Sequence, residues 1–118
     1  MNMKRGESWL VNLNPTVGAE MQKTRPTVIV SDDDIGILPL KVVVPITEWK
    51  QWQVDMPWMV RIEVTAENGL SKTSAADAFQ IRSVSRDRFV RKLGKLSDPL
   101  MQEISQALVL TLSIKDIS

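Results

Sequence analysis

Apolar and polar residues alternate in short runs along most of the chain, and the period changes only near the end. Trp9, Val11 and Leu13 stand two apart, so Glu7 to Leu13 predicts a first strand with one buried face. Asn14-Pro15 ends it. A polar loop then runs from Asn14 to Thr24, with Gly18 inside it. Long connections in compact domains are often functional. Thr27 to Val30 predicts a buried strand with Pro26 at its start, where a missing N–H is tolerated. Asp32-Asp33-Asp34 leaves the sheet. Lys41 to Ile46 predicts a third strand, β-branched almost throughout. Between Trp58 and Val64 the alternation is clean: Trp58, Val60, Ile62 and Val64 face one way, Met59, Arg61 and Glu63 the other. Asn68-Gly69 signals a turn. Ser74 to Val84 reads as one further strand, with Asp77, Phe79 and Ile81 on one face and Ala76, Ala78, Gln80 and Arg82 on the other. Phe89 to Leu93 reads as a short strand.

Period two then gives way to helical spacing. Ser97-Asp98-Pro99 is a helix start, with a capping hydroxyl and a proline in the first turn. Leu100, Ile104, Leu108 and Thr111 follow, joined by Met101, Ala107 and Leu112, and predict an amphipathic helix laid over a sheet. Five or six short strands followed by one helix predict an α+β, mostly β fold: a small antiparallel barrel with a C-terminal helix. No repeat or linker divides residues 1–118, so one domain is expected.

Composition narrows the chemistry. Cysteine and histidine are both absent. That removes disulfides, thiol chemistry, Cys or His metal sites, and any Ser-His-Asp triad. Catalysis is left to carboxylates, Arg, Lys, Ser and Thr. No apolar run approaches the roughly 20 residues of a membrane span. The start carries no apolar leader, and the expected location is the cytoplasm.

The net charge of +1 hides a pattern. Residues 26–70 carry three positives and seven negatives, whereas residues 71–96 carry seven positives and two negatives. A basic third in a neutral protein is either a polyanion-binding face or a solvated surface. Glu20 and Arg25 bracket the long loop, as a salt bridge or as an acid/base pair. Thr47 closes the third strand, where a hydroxyl either caps a turn or donates to a phosphate. Asp77 stands in a strand beside Phe79; an acid on an apolar face is a paired buried charge or a site residue. Asp32-Asp33-Asp34 lacks the spacing and glycine of a calcium loop. Trp49, Trp52 and Trp58 cluster, and Trp49 and Trp52 are the candidates for stacking or for an interface.

Several of these residues fall in a recognisable order. Lys4-Arg5-Gly6-Glu7, Asn14-Pro15-Thr16-Val17-Gly18-Ala19-Glu20, Arg25-Pro26, Val44-Pro45-Ile46-Thr47 and Gln80-Ile81-Arg82 together resemble the MazF/PemK (Kid) toxin family. The resemblance covers essentially the whole chain. It implies an SH3-like barrel of the PemK/CcdB-like form, built as a homodimer. It implies a metal-independent, sequence-preferring endoribonuclease of a type II toxin–antitoxin system, acting on single-stranded RNA, with messenger RNA the expected target. The RNA's own 2′-hydroxyl attacks the adjacent phosphorus, leaving a 2′,3′-cyclic phosphate and a 5′-hydroxyl. No cofactor is implied. The implied partner is a MazE-like antitoxin, acidic and partly disordered, occupying the RNA groove.

The resemblance also assigns roles. Arg25 would stabilise charge on the phosphorane, since an arginine is too weak an acid to favour proton donation. The Thr47 hydroxyl would bind the scissile phosphate, and Glu20 or Asp77 would be the general base. Lys23, Lys72, Arg82 and Arg86 are the expected phosphate contacts, with Thr24 beside Lys23, and Gln80 and Trp49 the expected base contacts. Ala19 stands where some relatives have His, and Glu48 where some have Ser, so no His-dependent variant of the mechanism operates. Two other readings compete: a gyrase-poisoning toxin of the same fold, and a non-catalytic nucleic-acid-binding barrel. The Arg25/Thr47 pair and the Ile114–Ser118 end, which lacks tryptophan, favour the nuclease.

Overall fold

A computed structural model describes residues 2–115; the last three residues of the C-terminal stretch weighed above lie outside the described residues. Seven strands, β1 (Glu7–Asn12), β2 (Thr24–Ile29), β3 (Leu40–Glu48), β4 (Met59–Ile62), β5 (Ser74–Asp77), β6 (Arg82–Ser85) and β7 (Phe89–Lys95), precede one helix, α1 (Asp98–Thr111). Neighbours run β4-β5-β3-β2-β1-β7, and β6 also pairs with β3. Every ladder is antiparallel. The end strands β4 and β7 share no ladder among the described residues, so the barrel is open. The expected α+β, mostly β fold with a C-terminal helix is borne out, with seven strands rather than five or six.

The two faces of the sheet fill two apolar clusters. Val28, Val44, Ile46, Val60 and Ile62 lie on one face, under Met101, Ile104 and Ala107 of α1. Trp9, Val11, Leu13, Ile29, Val43 and Val84 lie on the other. Neighbours such as Val28 and Ile29 go to opposite clusters because side chains alternate across a strand. Burial on both faces is why β2 and β3 read as continuous apolar runs. Val64, expected on the buried face, is exposed because β4 stops at Ile62. Ser97 starts α1, its hydroxyl accepting from the Leu100 N–H at 3.3 Å.

Two expectations are corrected. Pro26 is not the start of β2, which begins at Thr24; Pro26 pairs with Leu10 of β1. Ser74 to Val84 is not one strand. It lies along one edge of β3, but Ile46 faces Ala76 while Val43 faces Arg82. An unbroken ladder would have put Phe79 opposite Val43. The three extra residues form a 3-10 turn, Ala78–Gln80. Asp77 drives the break. Its carboxylate accepts from the Phe79 N–H at 3.0 Å and offers the backbone an alternative to the ladder. Asp77 is therefore buried and Phe79 exposed, not neighbours on one face.

Candidate active site

The cleft forms where β2 and β3 separate. Their ladder runs Ile29–Val43, Val28–Val44, Thr27–Pro45 and stops. The Val30 N–H donates to the Val42 carbonyl at 2.9 Å, so the donors of β2 that face β3 fall at residues 30, 28 and 26. Residue 26 is proline and has no N–H to give. Continued in register, the ladder would set Pro26 opposite Ile46 and then Arg25 opposite Thr47. Instead the two lie on opposite lips of a cleft of about 540 Å³.

Apolar side chains line the inside of this cleft: Leu10, Pro26, Ile46, Leu70 and Leu93. Its rim is cationic, with Lys23, Arg25, Lys50, Lys72 and Arg91. Glu48 is the carboxylate among the lining residues. It bridges Lys50 at 3.6 Å and Lys72 at 3.5 Å. Those two ammoniums, Lys50 foremost, hold the Glu48 carboxyl below its ordinary range. Arg25 is half-buried, and its Nε donates to the Gln22 carbonyl at 2.8 Å. Thr47 is half-buried at the end of β3, paired with Ala75. Lys23 has a left-handed backbone, φ +71°, and its N–H donates to Asn14 Oδ1 at 3.0 Å. That tight corner brings Lys23 and Thr24 onto the lip beside Arg25.

The remaining residues singled out from the sequence lie elsewhere. Glu20 is exposed on the β1–β2 loop, and its carboxylate accepts from the Val17 N–H at 2.7 Å. Asp77 caps the 3-10 turn, and burial raises its carboxyl above the ordinary value, against the lowering from the Phe79 and Gln80 N–H groups. Neither lines the cleft. Gln80 bonds the β1–β2 loop, accepting from the Met21 N–H at 2.9 Å and donating to the Ala19 carbonyl at 3.1 Å. Arg82 donates to the Leu13 carbonyl at 3.1 Å. Arg86 opens another 3-10 turn, Arg86–Arg88, and its backbone N–H donates to the Pro39 carbonyl at 2.9 Å. Trp49 has one ring face covered by the Arg61 guanidinium, 5.1 Å from the ring centroid. Sequence reasoning missed Lys50 and Arg91. Arg91 faces Leu10 across the β1–β7 ladder, a pairing that residue spacing does not reveal.

An open antiparallel barrel with a C-terminal helix and a basic cleft at its β2–β3 fork defines a class, and the chain belongs to it. Residues 4–112 match the family of PemK-like, MazF-like toxins of type II toxin–antitoxin systems. The expected kinship is therefore borne out. The chain is 33% identical over 118 residues to Endoribonuclease MazF9 of Mycobacterium tuberculosis, covering 95% of this chain and 98% of that protein. It is 32% identical to Endoribonuclease EndoA of Bacillus subtilis, covering 98% and 99%. The fold matches MazF from Deinococcus radiodurans with a TM-score of 0.77 at 23% identity, over 94% and 96% of the two chains. It also matches an endoribonuclease solved with its cognate antitoxin from a mycobacterial species, with a TM-score of 0.74 at 20% identity, over 98% and 99%.

Proposed function

We propose that this chain is an endoribonuclease toxin that binds single-stranded RNA along the rim of the β2–β3 cleft, cuts it without a metal, and is silenced by a cognate antitoxin. The observation that carries this is Arg25 and Thr47 at matched positions on the two lips of one basic cleft. Membership of a toxin family, and relatives named endoribonucleases over nearly the full chain, support it.

The chemistry follows from what the cleft offers. A 2′-hydroxyl beside the scissile phosphate is the nucleophile, so the protein supplies none. The oxygen attacks phosphorus, the bond to the 5′-oxygen breaks, and a 2′,3′-cyclic phosphate and a 5′-hydroxyl remain. Among the described residues the Nη atoms of Arg25 make no hydrogen bond to protein, so they are available to the phosphorane oxygens. The Thr47 hydroxyl donates to a further phosphate oxygen. Lys23, Lys50, Lys72 and Arg91 carry the flanking phosphates. Glu20 and Asp77 each accept a backbone N–H from their own turn; Glu20 is the exposed one, on the β1–β2 loop that leads into Arg25, and is the proposed proton acceptor. Messenger RNA is the proposed target.

An acidic antitoxin segment suits the same cationic rim and would exclude RNA by occupying it. A second copy of the chain is the proposed cover for exposed apolar residues such as Trp52, Ile37 and Leu112. The test is cleavage of a long single-stranded RNA in excess EDTA, with the new ends mapped and typed. Discrete cuts with 5′-hydroxyl ends are expected. Arg25→Ala and Thr47→Ala lower the rate by about 100-fold or more while melting as the parent does. Wild-type cleavage by Arg25→Ala would overturn the assignment. Gyrase inhibition without cleavage would favour the poison reading.

A further inference from the structure

We propose that Gln80 is a positioning residue for cleavage, acting through the β1–β2 loop on Arg25 and Glu20. The inference rests on the nuclease reading above. The Gln80 carboxamide makes two bonds to that loop: Oε1 accepts from the Met21 N–H at 2.9 Å, and Nε2 donates to the Ala19 carbonyl at 3.1 Å. A flipped amide would set donor against donor and acceptor against acceptor, so the two contacts fix its orientation together. The residue between them is Glu20. The residue after them, Gln22, gives the carbonyl that receives Arg25 Nε at 2.8 Å. One side chain thus grips the loop beside the proposed base and next to the carbonyl that aims the proposed phosphate ligand.

The grip has no backup of the same kind. The base of the loop is closed separately. There the Leu13 N–H donates to the Lys23 carbonyl at 3.0 Å, the Lys23 N–H to Asn14 Oδ1 at 3.0 Å, and Arg82 to the Leu13 carbonyl at 3.1 Å. Beyond that base the outer arm is exposed, and its Glu20–Val17 bonds are internal. Among the described residues, Gln80 supplies the outer arm's hydrogen bonds to the rest of the fold, joined by the packing of Met21 on the Trp9 cluster. Gln80 reaches the loop because the Ala78–Gln80 turn stands out from β3, and the Asp77 carboxylate caps that turn. A carboxylate expected to move a proton here shapes the turn that holds the loop.

Gln80→Met keeps the length of the side chain and removes both bonds. Three quantities are measured: hydrogen exchange at the Met21 amide, steady-state cleavage with kcat separated from KM, and the melting temperature. The expected result is faster exchange at Met21 by about tenfold or more, since a closed amide opens locally. With it, kcat falls about tenfold or more while KM stays within about twofold, as misplacement of a catalytic group costs turnover rather than binding. Parent-like melting shows the fold intact. Unchanged Met21 exchange overturns the latch. Faster exchange with unchanged kcat overturns its coupling to the site. A raised KM with unchanged kcat makes Gln80 an RNA contact instead. Failure of the wild-type chain to cut any RNA overturns the nuclease reading and the positioning role with it, and the Met21 exchange then reads the latch alone.

Discussion

If the cleft is the RNA track proposed above, Glu48 should set how strongly it holds RNA. Its carboxylate lies 3.6 Å from Lys50 Nζ and 3.5 Å from Lys72 Nζ, and all three side chains are about half exposed. Held below its ordinary pKa by both lysines, it is ionised throughout the neutral range. An RNA phosphate therefore competes with a resident anion for two of the five cations on the rim. Glu48→Gln removes the competitor and adds one net positive charge. For single strands, each phosphate neutralised contributes about −0.7 to the slope of log K against log salt. Freeing one lysine steepens the slope by about 0.7, and freeing both by about 1.4. Between 200 and 50 mM salt, that becomes about a three- to sevenfold larger gain in affinity for the variant than for the parent. The assay is fluorescence anisotropy with a 2′-O-methyl RNA, which has no free 2′-hydroxyl and is not cut, titrated at four salt concentrations. Lys72→Ala should move the slope the opposite way. If Glu48→Gln leaves the slope within about 0.2 of the parent, the rim of this cleft is not the RNA track.

Two further predictions concern the frame of the site. A Cβ at Gly69 would lie 2.1 Å from the Leu93 carbonyl oxygen at φ +68°, whereas Gly18, at φ +57°, has nothing within 4 Å. Gly18→Ala isolates the backbone term, and Gly69→Ala adds overpacking against β7, worth about 1–3 kcal/mol more. Thermal melts should then separate the two variants by about 5–10 °C, and equal melting temperatures would sink the contact argument. For Glu7, desolvation raises the carboxyl, but bonds from the Lys4 N–H at 3.0 Å, Lys92 at 2.9 Å and the Trp9 indole at 3.0 Å outweigh it and lower the pKa from 4.5. A lowered folded pKa means stability that is present above the unfolded value and is lost as pH falls through the folded one. Glu7→Gln should therefore melt below the parent at pH 7, with the gap closing below about pH 4.5; a pH-independent gap would contradict this.

The strands were legible wherever side-chain period and burial agreed. β1, β3 and the start of α1 follow from alternation, β-branching and the Ser97 cap. The break after Asp77 was not legible, because the pattern from Ser74 to Val84 still reads as a strand through the turn. A local bond, Asp77 to the Phe79 N–H, decided it, and propensity along the chain does not weigh such a bond against a ladder. Pro26 was legible as a residue without a donor but not as the end of the β2–β3 ladder, since that meaning depends on which neighbour its nitrogen faces. Arg25 and Thr47 came from family resemblance, and their shared cleft came from register. Gln80 and Arg82 were legible as polar residues, but their partners on the β1–β2 loop were not, because a sequence shows polarity and conceals partners.

The basic third of the sequence shows the same limit in its charges. Of its seven cations, Lys72 and Arg91 line the cleft. Arg82 donates to the Leu13 carbonyl, Arg88 to the Asn12 and Asn14 carbonyls, and Lys92 pairs with Glu7. An arginine fork that satisfies backbone carbonyls at the base of a loop is held in place there, and part of its donor set is committed to the protein. The other three rim cations come from outside that third: Lys23 from the loop, Arg25 from β2 and Lys50 from the segment after β3. The rim is thus assembled by strand order, which brings β1, β2, β3 and β7 to one fork, rather than by any charged stretch of chain. Within residues 71–96, Lys72 and Arg91 contribute charge to the rim of the cleft, the proposed RNA track, while Gln80, Arg82 and Arg88 hold the loop that borders it.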